Sequence, residues 1–189
     1  MQATAFPLDA FPGERATETR NVRDVFVQHG AFLWRTLQRL GVAPSDLDDT
    51  VQEVLIVVHN RLADYDPKRA KMTTWLFGIC VKVAQRWHRH SRRRAEPLTE
   101  PAAQPAEGTP EEELARRRAR RCLARILDEM SLEKRATFVM FELEGMSAAE
   151  IAEVTGVPVG TVHSRLFAAR QQFASLLRRL QITGEVRRA

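Results

Sequence analysis

The amino-acid sequence predicts an all-α protein of two small helical domains joined by a flexible linker. Three observations lead there. Wherever apolar residues are periodic they recur at helical spacing, and strand-like alternation appears nowhere. Start and stop residues punctuate those periodic runs. Between two sets of runs lies EPLTEPAAQPAEGTPEEE, with four prolines and no apolar period, which reads as a flexible linker. The expected division is a disordered leader over 1–20, a first domain over 21–95, an acidic Pro-rich linker over 96–113, a second domain over 114–183 and a tail over 184–189.

In the first domain, Val22, Val25, Phe26, Phe32, Leu33, Leu37 and Leu40 form the stripe of an opening helix, which Gly41 ends. Ser45 with Asp48 three places on resembles a capping box. Behind it Val51, Val54, Leu55, Val58 and Leu62 line one face of a second helix. A third helix follows KRAKMTT, with Leu76, Ile79, Cys80, Val83, Ala84 and Trp87 inward, and runs into HRHSRRR. Past the linker, Thr109, Pro110 and Glu112 stand as N-cap, N1 and N3 of a helix that buries Cys122, Leu123, Ile126 and Leu127. A further helix spans about Leu132 to Leu143, with Gly145 as its stop. Ser147 and Glu150 then form a second capping box.

The charge is segregated. Net charge is +5 and the isoelectric point about 9.9, which points to an acidic partner such as nucleic acid or an anionic surface. From Lys82 to Arg94 the chain holds Lys82, Arg86, Arg89, Arg92, Arg93 and Arg94 and no acid. From Ala95 to Glu113 it holds six glutamates and no base, and from Leu114 to Arg125 six arginines and no acid. The longest apolar run, Val54 to Val58, is far short of a membrane span. No signal peptide is recognisable. Cys80 and Cys122 sit on apolar stripes and read as buried thiols rather than metal ligands. His88 and His90 lie two apart on a helix, where they diverge, so no metal site is expected. No nucleophile is paired with a base, and no catalytic residue or cofactor is expected.

The segment EIAEVTGVPVGTVHSRLFAARQQF carries the sharpest signal. A short helix over Ala148–Thr155, a Gly-containing turn and a longer helix make a helix-turn-helix plan, whose second helix can enter a DNA major groove. In that helix Val162, Leu166, Ala169, Phe173, Leu176, Leu177 and Leu180 face inward. This leaves Gly160, Ser164, Phe167, Ala168 and Gln171 outside, flanked by His163, Arg165 and Arg170. Arginine can grip guanine with two hydrogen bonds, Ser and Thr can bond bases or phosphates, and an exposed Phe can touch a thymine methyl. The backbone N–H groups of Val159 to Thr161 suit a phosphate. The bland counterpart is a helical hairpin with a solvated face.

Taken together, GMSAAEIAEVTGVPVGTVHSRLFAARQQFASLL and DLDDTVQEVLIVVHNRLADYDPKRAKMTTWLFGICVKVAQRWHRHSRRR resemble regions four and two of bacterial ECF (extracytoplasmic function) sigma factors, promoter-recognition subunits of RNA polymerase. The resemblance implies that region four contacts the −35 element through Thr161, His163, Ser164, Arg165, Phe167 and Arg170. It implies that region two holds and melts the −10 element through the loop containing Arg69, Lys71, Thr73 and Thr74, through Trp75, and through Lys82, Arg86 and Arg89 on the helix that follows. Unstacked bases suit loop pockets and aromatic rings, and a basic helix suits the strand backbone. Arg92, Arg93 and Arg94 would add nonspecific attraction.

The same resemblance assigns Asp48, Asp49, Gln52, Glu53 and Ile56 to docking on the clamp helices of the polymerase largest subunit. It also implies contact with the flap of the second-largest subunit, restraint by an anti-sigma factor, and a cytoplasmic setting without membrane insertion. Three positions depart from the family pattern: His163 where Lys or Arg is usual, Ala168 where Arg is common, and Lys82 in place of a frequent Asn. The rival readings are a stand-alone helix-turn-helix regulator, an enzyme with an accessory helix-turn-helix, and an interaction module that does not bind DNA.

Overall fold

The computed structural model describes residues 21–91 and 109–182. The leader, the linker up to Gly108, the tail and Arg92–Arg94 lie outside the described residues. Among those described there are seven α-helices and no strand.

The first half is a three-helix bundle: α1 (Val22–Arg39), α2 (Leu47–Arg61) and α3 (Met72–Ser91), each packed on the other two. Helix α1 starts at Asn21, whose side chain accepts from the Asp24 N–H while the Asp24 carboxylate accepts from the Asn21 N–H. It stops at Gly41, where φ is 87°, a conformation that glycine adopts without the steric cost of a Cβ. Leu33, Leu37, Leu40, Val54, Val58 and Leu76 are fully buried, as the helical periodicity predicts, and Phe77, off the expected stripe of α3, is fully buried too. Phe26, expected on the inward stripe, instead lies 41% exposed, its ring lying along Gly30 one turn on.

The capping box expected at Ser45 and Asp48 does not form. Pro44–Asp46 winds as a short 3-10 turn, Asp46 is the N-cap residue without a side-chain cap bond, and the Ser45 hydroxyl donates to the Asp46 carboxylate instead. That carboxylate also accepts from the Trp87 indole N–H at 2.9 Å, which ties the start of α2 to the end of α3.

The second half comprises α4 (Pro110–Asp128), α5 (Leu132–Phe138), α6 (Ala148–Thr155) and α7 (Val159–Ile182). The boxes at Thr109/Glu112 and Ser147/Glu150 both close as the sequence predicts. Helix α4 therefore begins within the stretch assigned to the linker. Helix α5 ends in a π-helical turn, Val139–Leu143, a rare element that recurs at functional positions. Helices α4, α5 and α6 all pack on α7, with Phe138 stacked on Phe173 at 5.0 Å between centroids.

The cap on α6 makes a measurable prediction. The Ser147 N–H and hydroxyl both donate to Glu150, holding its carboxyl below the usual range. A carboxyl depressed in the folded state stabilises above its unfolded pKa, and that gain is lost as the pH falls through the folded one. Ser147→Ala is expected to cost about 1 kcal/mol in a urea melt at pH 7. The difference from wild type should shrink once the pH drops below about 4, near the ordinary glutamate pKa.

Both cysteines are buried, and loss of solvation raises both thiol pKa values. Neither is a thiolate at neutral pH, so neither has the reactivity of a redox or nucleophilic cysteine.

Candidate nucleic-acid interface

The two halves place their charged faces by the same rule: an apolar stripe turned inward leaves a defined polar set outside. On α7, Val162, Leu166 and Ala169 are buried, which turns His163, Ser164, Phe167 and Arg170 to the surface. Phe167 is 67% exposed. Thr161 and Arg165 are half-buried beside them. The Ser164 hydroxyl donates to the Gly160 carbonyl at 2.9 Å, so the oxygen it presents outward is an acceptor.

The Thr161 N–H is already taken by the Pro158 carbonyl at 2.8 Å, which removes it from the expected phosphate site. Arg170 is held from behind: its Nε donates to Glu142 at 2.6 Å, and its guanidinium lies over the Phe141 ring at 5.1 Å. The π-helical turn carries both partners. Gly156, with φ at 70°, makes the tight corner between α6 and α7.

In the first half, the loop before α3 is built on Asp66, whose side chain accepts from the Lys68 N–H and whose carbonyl accepts from the Arg69 and Ala70 N–H groups. Tyr65 closes the loop: its hydroxyl donates to the Ala70 carbonyl, and its ring tilts against Trp75 at 5.4 Å. Arg69 and Lys71 are exposed, Thr73 and Trp75 half-buried. Thr74 is 5% exposed and turns into the bundle, so the expectation that it contacts DNA is not met by this conformation. It points inward with Phe77 and Val81, three and seven residues on, which form a second buried face of α3.

Lys82, Arg86 and Arg89 stand exposed along one side of α3. Beside them, Asp48, Asp49, Gln52, Glu53 and Ile56 are exposed on α2, with Ile56 at 61%. The two faces touch where Arg86 meets Glu53 at 2.6 Å. No cluster of three or more possible metal ligands occurs among the described residues. No helix among them is long and apolar enough to cross a membrane.

Sequence reasoning missed Tyr65, Phe141 and Glu142. Tyr65 precedes a loop with no period to read, and the other two meet Arg170 only through a turn that periodicity cannot predict.

This geometry, a basic helix behind an aromatic-backed loop in one half and a helix-turn-helix in the other, coincides with two family matches. The sigma-70 region 2 profile matches residues 25–94, and the sigma-70 region 4 profile matches residues 120–173. The chain is 31% identical over 159 residues to the RNA polymerase sigma factor CnrH of Cupriavidus metallidurans, covering 79% of this chain and 83% of that one. It is 30% identical over 172 residues to the ECF sigma factor SigL of Mycobacterium tuberculosis, covering 90% of this chain and 97% of that one. The chain belongs to the ECF sigma factors of bacterial RNA polymerase.

As a sigma factor it binds polymerase core and directs it to promoter DNA. The solved structure of CnrH in complex with the cytosolic domain of CnrY has a TM-score of 0.57 at 26% identity, over 82% of this chain and 86% of that one. RpoE of Bartonella quintana, solved with the anti-sigma factor NepR, shares the fold, with a TM-score of 0.62 at 17% identity over 82% of this chain and 96% of that one.

Proposed function

We propose that this sigma factor divides promoter recognition between its two halves at the residues named above and is not an enzyme. Region four reads the closed −35 duplex through His163, Ser164, Phe167 and Arg170, with Thr161 and Arg165 at the edges. Region two holds the melted −10 strand through Arg69, Lys71, Thr73 and Trp75, and tracks its backbone along Lys82, Arg86 and Arg89. The observation that carries this reading is the exposed set on α7. An exposed phenylalanine among arginine, serine and histidine, on the outer face of a helix-turn-helix, suits the mixed chemistry of base edges and phosphates better than it suits water.

The acidic face of α2 docks on polymerase. Asp48, Asp49, Gln52 and Glu53 around exposed Ile56 match a basic helical partner and would repel DNA. CnrH was solved with the cytosolic domain of a second protein, which supports an anti-sigma partner for this chain as well, acting in the cytoplasm.

Run-off transcription with core polymerase on a library of genomic fragments tests the assignment. His163→Ala and Ser164→Ala are expected to change which promoters fire, since removing a base-reading side chain costs about 1–3 kcal/mol of discrimination. An unchanged promoter set overturns the −35 assignment. Gln52→Ala with Glu53→Ala is expected to weaken core binding roughly tenfold in a fluorescence titration, the loss of 1.4 kcal/mol of interface energy. Unaltered core affinity would mean that another face docks.

A further inference from the structure

The contacts that hold Arg170 do little for the fold. Its side chain is 53% exposed, and an ion pair that open to water adds little stability. What the contacts fix is direction. The Phe141 ring, 5.1 Å from the guanidinium carbon, sets the plane of the group, and the bond from Nε to Glu142 at 2.6 Å sets its rotation in that plane. Both Nη groups, at the far end, are left for a ligand, in the forked arrangement that matches two oxygens of one phosphate.

The support under these contacts is firm. Phe141 and Glu142 lie in the π-helical turn Val139–Leu143, where the Glu144 N–H reaches back to the Val139 carbonyl at 3.1 Å and the Met146 N–H to the Met140 carbonyl at 2.9 Å. Val139 and Met140 are fully buried, so the turn is pinned from inside while its next two residues meet α7 at the surface.

The place of Arg170 along α7 says what it meets. It follows His163 by seven residues, two helical turns and about 10 Å, on the same edge of the helix. In a recognition helix the early residues reach base edges, and a residue two turns further along one edge stands beside the sugar–phosphate backbone. A mobile arginine there would attract any phosphate, and so any duplex. A fixed one favours the placement of α7 in which a phosphate already lies before its fork, and the Glu142 carboxylate repels a phosphate that approaches from elsewhere.

We propose that Glu142 and Phe141 are positioning residues of region four, which hold Arg170 as a preset phosphate clamp and so fix the register of α7 on the −35 duplex. The idea rests on the −35 assignment of Arg170 above. Ordering one long side chain in advance is a gain of roughly two- to twelvefold for the complex that uses it.

Holoenzyme made from core polymerase and the full-length chain is titrated with two labelled duplexes: a promoter recovered in the run-off screen, and the same promoter with its −35 element scrambled. The ratio of the two affinities is read. Glu142→Ala is expected to lower it roughly tenfold, within the range of one specific contact, with the thermal midpoint unchanged by circular dichroism. Phe141→Leu, which keeps apolar bulk and removes the ring face, is expected to lower it by a smaller factor. Glu142→Gln keeps an oxygen that accepts from Nε and removes the negative charge. It should retain more of the ratio than Glu142→Ala while tightening binding to the scrambled duplex, which a purely structural role for Glu142 does not produce.

Arg170→Ala is expected to lower the ratio at least as far, and Glu142→Ala on that background to change it no further. If Arg170→Ala leaves the ratio unchanged, Arg170 does not read the −35 duplex, and that assignment falls together with the clamp. If Arg170→Ala lowers the ratio and Glu142→Ala does not, the assignment stands and the clamp is not preset. If the two losses add, Glu142 acts on something other than Arg170, and the proposal fails.

Discussion

Phe77→Ala should remove a large share of the stability of region two. Phe77 of α3 is fully buried, with Phe32 of α1 edge-on to it at 6.4 Å. Truncating a buried phenylalanine to alanine costs about 3–5 kcal/mol, the transfer energy of the ring plus the cavity it leaves. Against a total of about 5–15 kcal/mol for a typical domain, this is a large share.

The measurement is clean because Trp34, Trp75 and Trp87 are the only three tryptophans, and all belong to region two. A urea melt followed by tryptophan fluorescence should shift its midpoint down by roughly 1–3 M at ordinary denaturant sensitivities. A shift within a few tenths of a molar would show that the ring is not a core side chain.

How far the sequence leads is clear from where it stops. The stripes of α2, α3 and α7 were readable because a helix that buries one face must repeat apolar residues at its own period, and nothing outside the helix is needed to see it. Thr109/Glu112 and Ser147/Glu150 were readable for the same reason, since a cap is a local bond. Ser45/Asp48 has the same spacing and failed, because Pro44 starts a 3-10 turn and Trp87, 41 residues on from Asp46, binds the Asp46 carboxylate at the start of the helix.

Phe26 fits the period yet lies outside, since its neighbours in space decide what covers it. The exposed set on α7 was legible as the remainder of a strong stripe. The partners of Arg170, Arg69 and Arg135 were not, because Glu142, Glu153 and Gly41 come to them only through packing between elements. Periodicity therefore located the outward-facing side chains of α7 and missed the residues that Arg170, Arg69 and Arg135 meet.

The second large effect is expected from Lys82→Ala, Arg86→Ala and Arg89→Ala together, measured on the polymerase–promoter complex. Under the proposed −10 assignment each residue offers one positive charge to the strand backbone, and a protein that neutralises a phosphate releases a condensed counterion. The slope of log affinity against log salt falls by about 0.7–0.9 for each phosphate no longer neutralised. Removing all three charges should flatten it by roughly 2–3 and weaken binding roughly 50- to 150-fold at physiological salt, with a smaller effect at higher salt.

The ion pair of Arg86 with Glu53 does not reverse this estimate. Both side chains are about half exposed, at 48% and 49%, and such a pair contributes only about 0–1 kcal/mol. Three phosphate contacts outweigh it, and a basic polymerase helix arriving at Glu53 would release Arg86 toward the strand. Promoter filter binding from about 50 to 300 mM salt checks both slope and affinity. An unchanged slope in the triple variant would show that this side of α3 does not follow the DNA backbone, however basic it is.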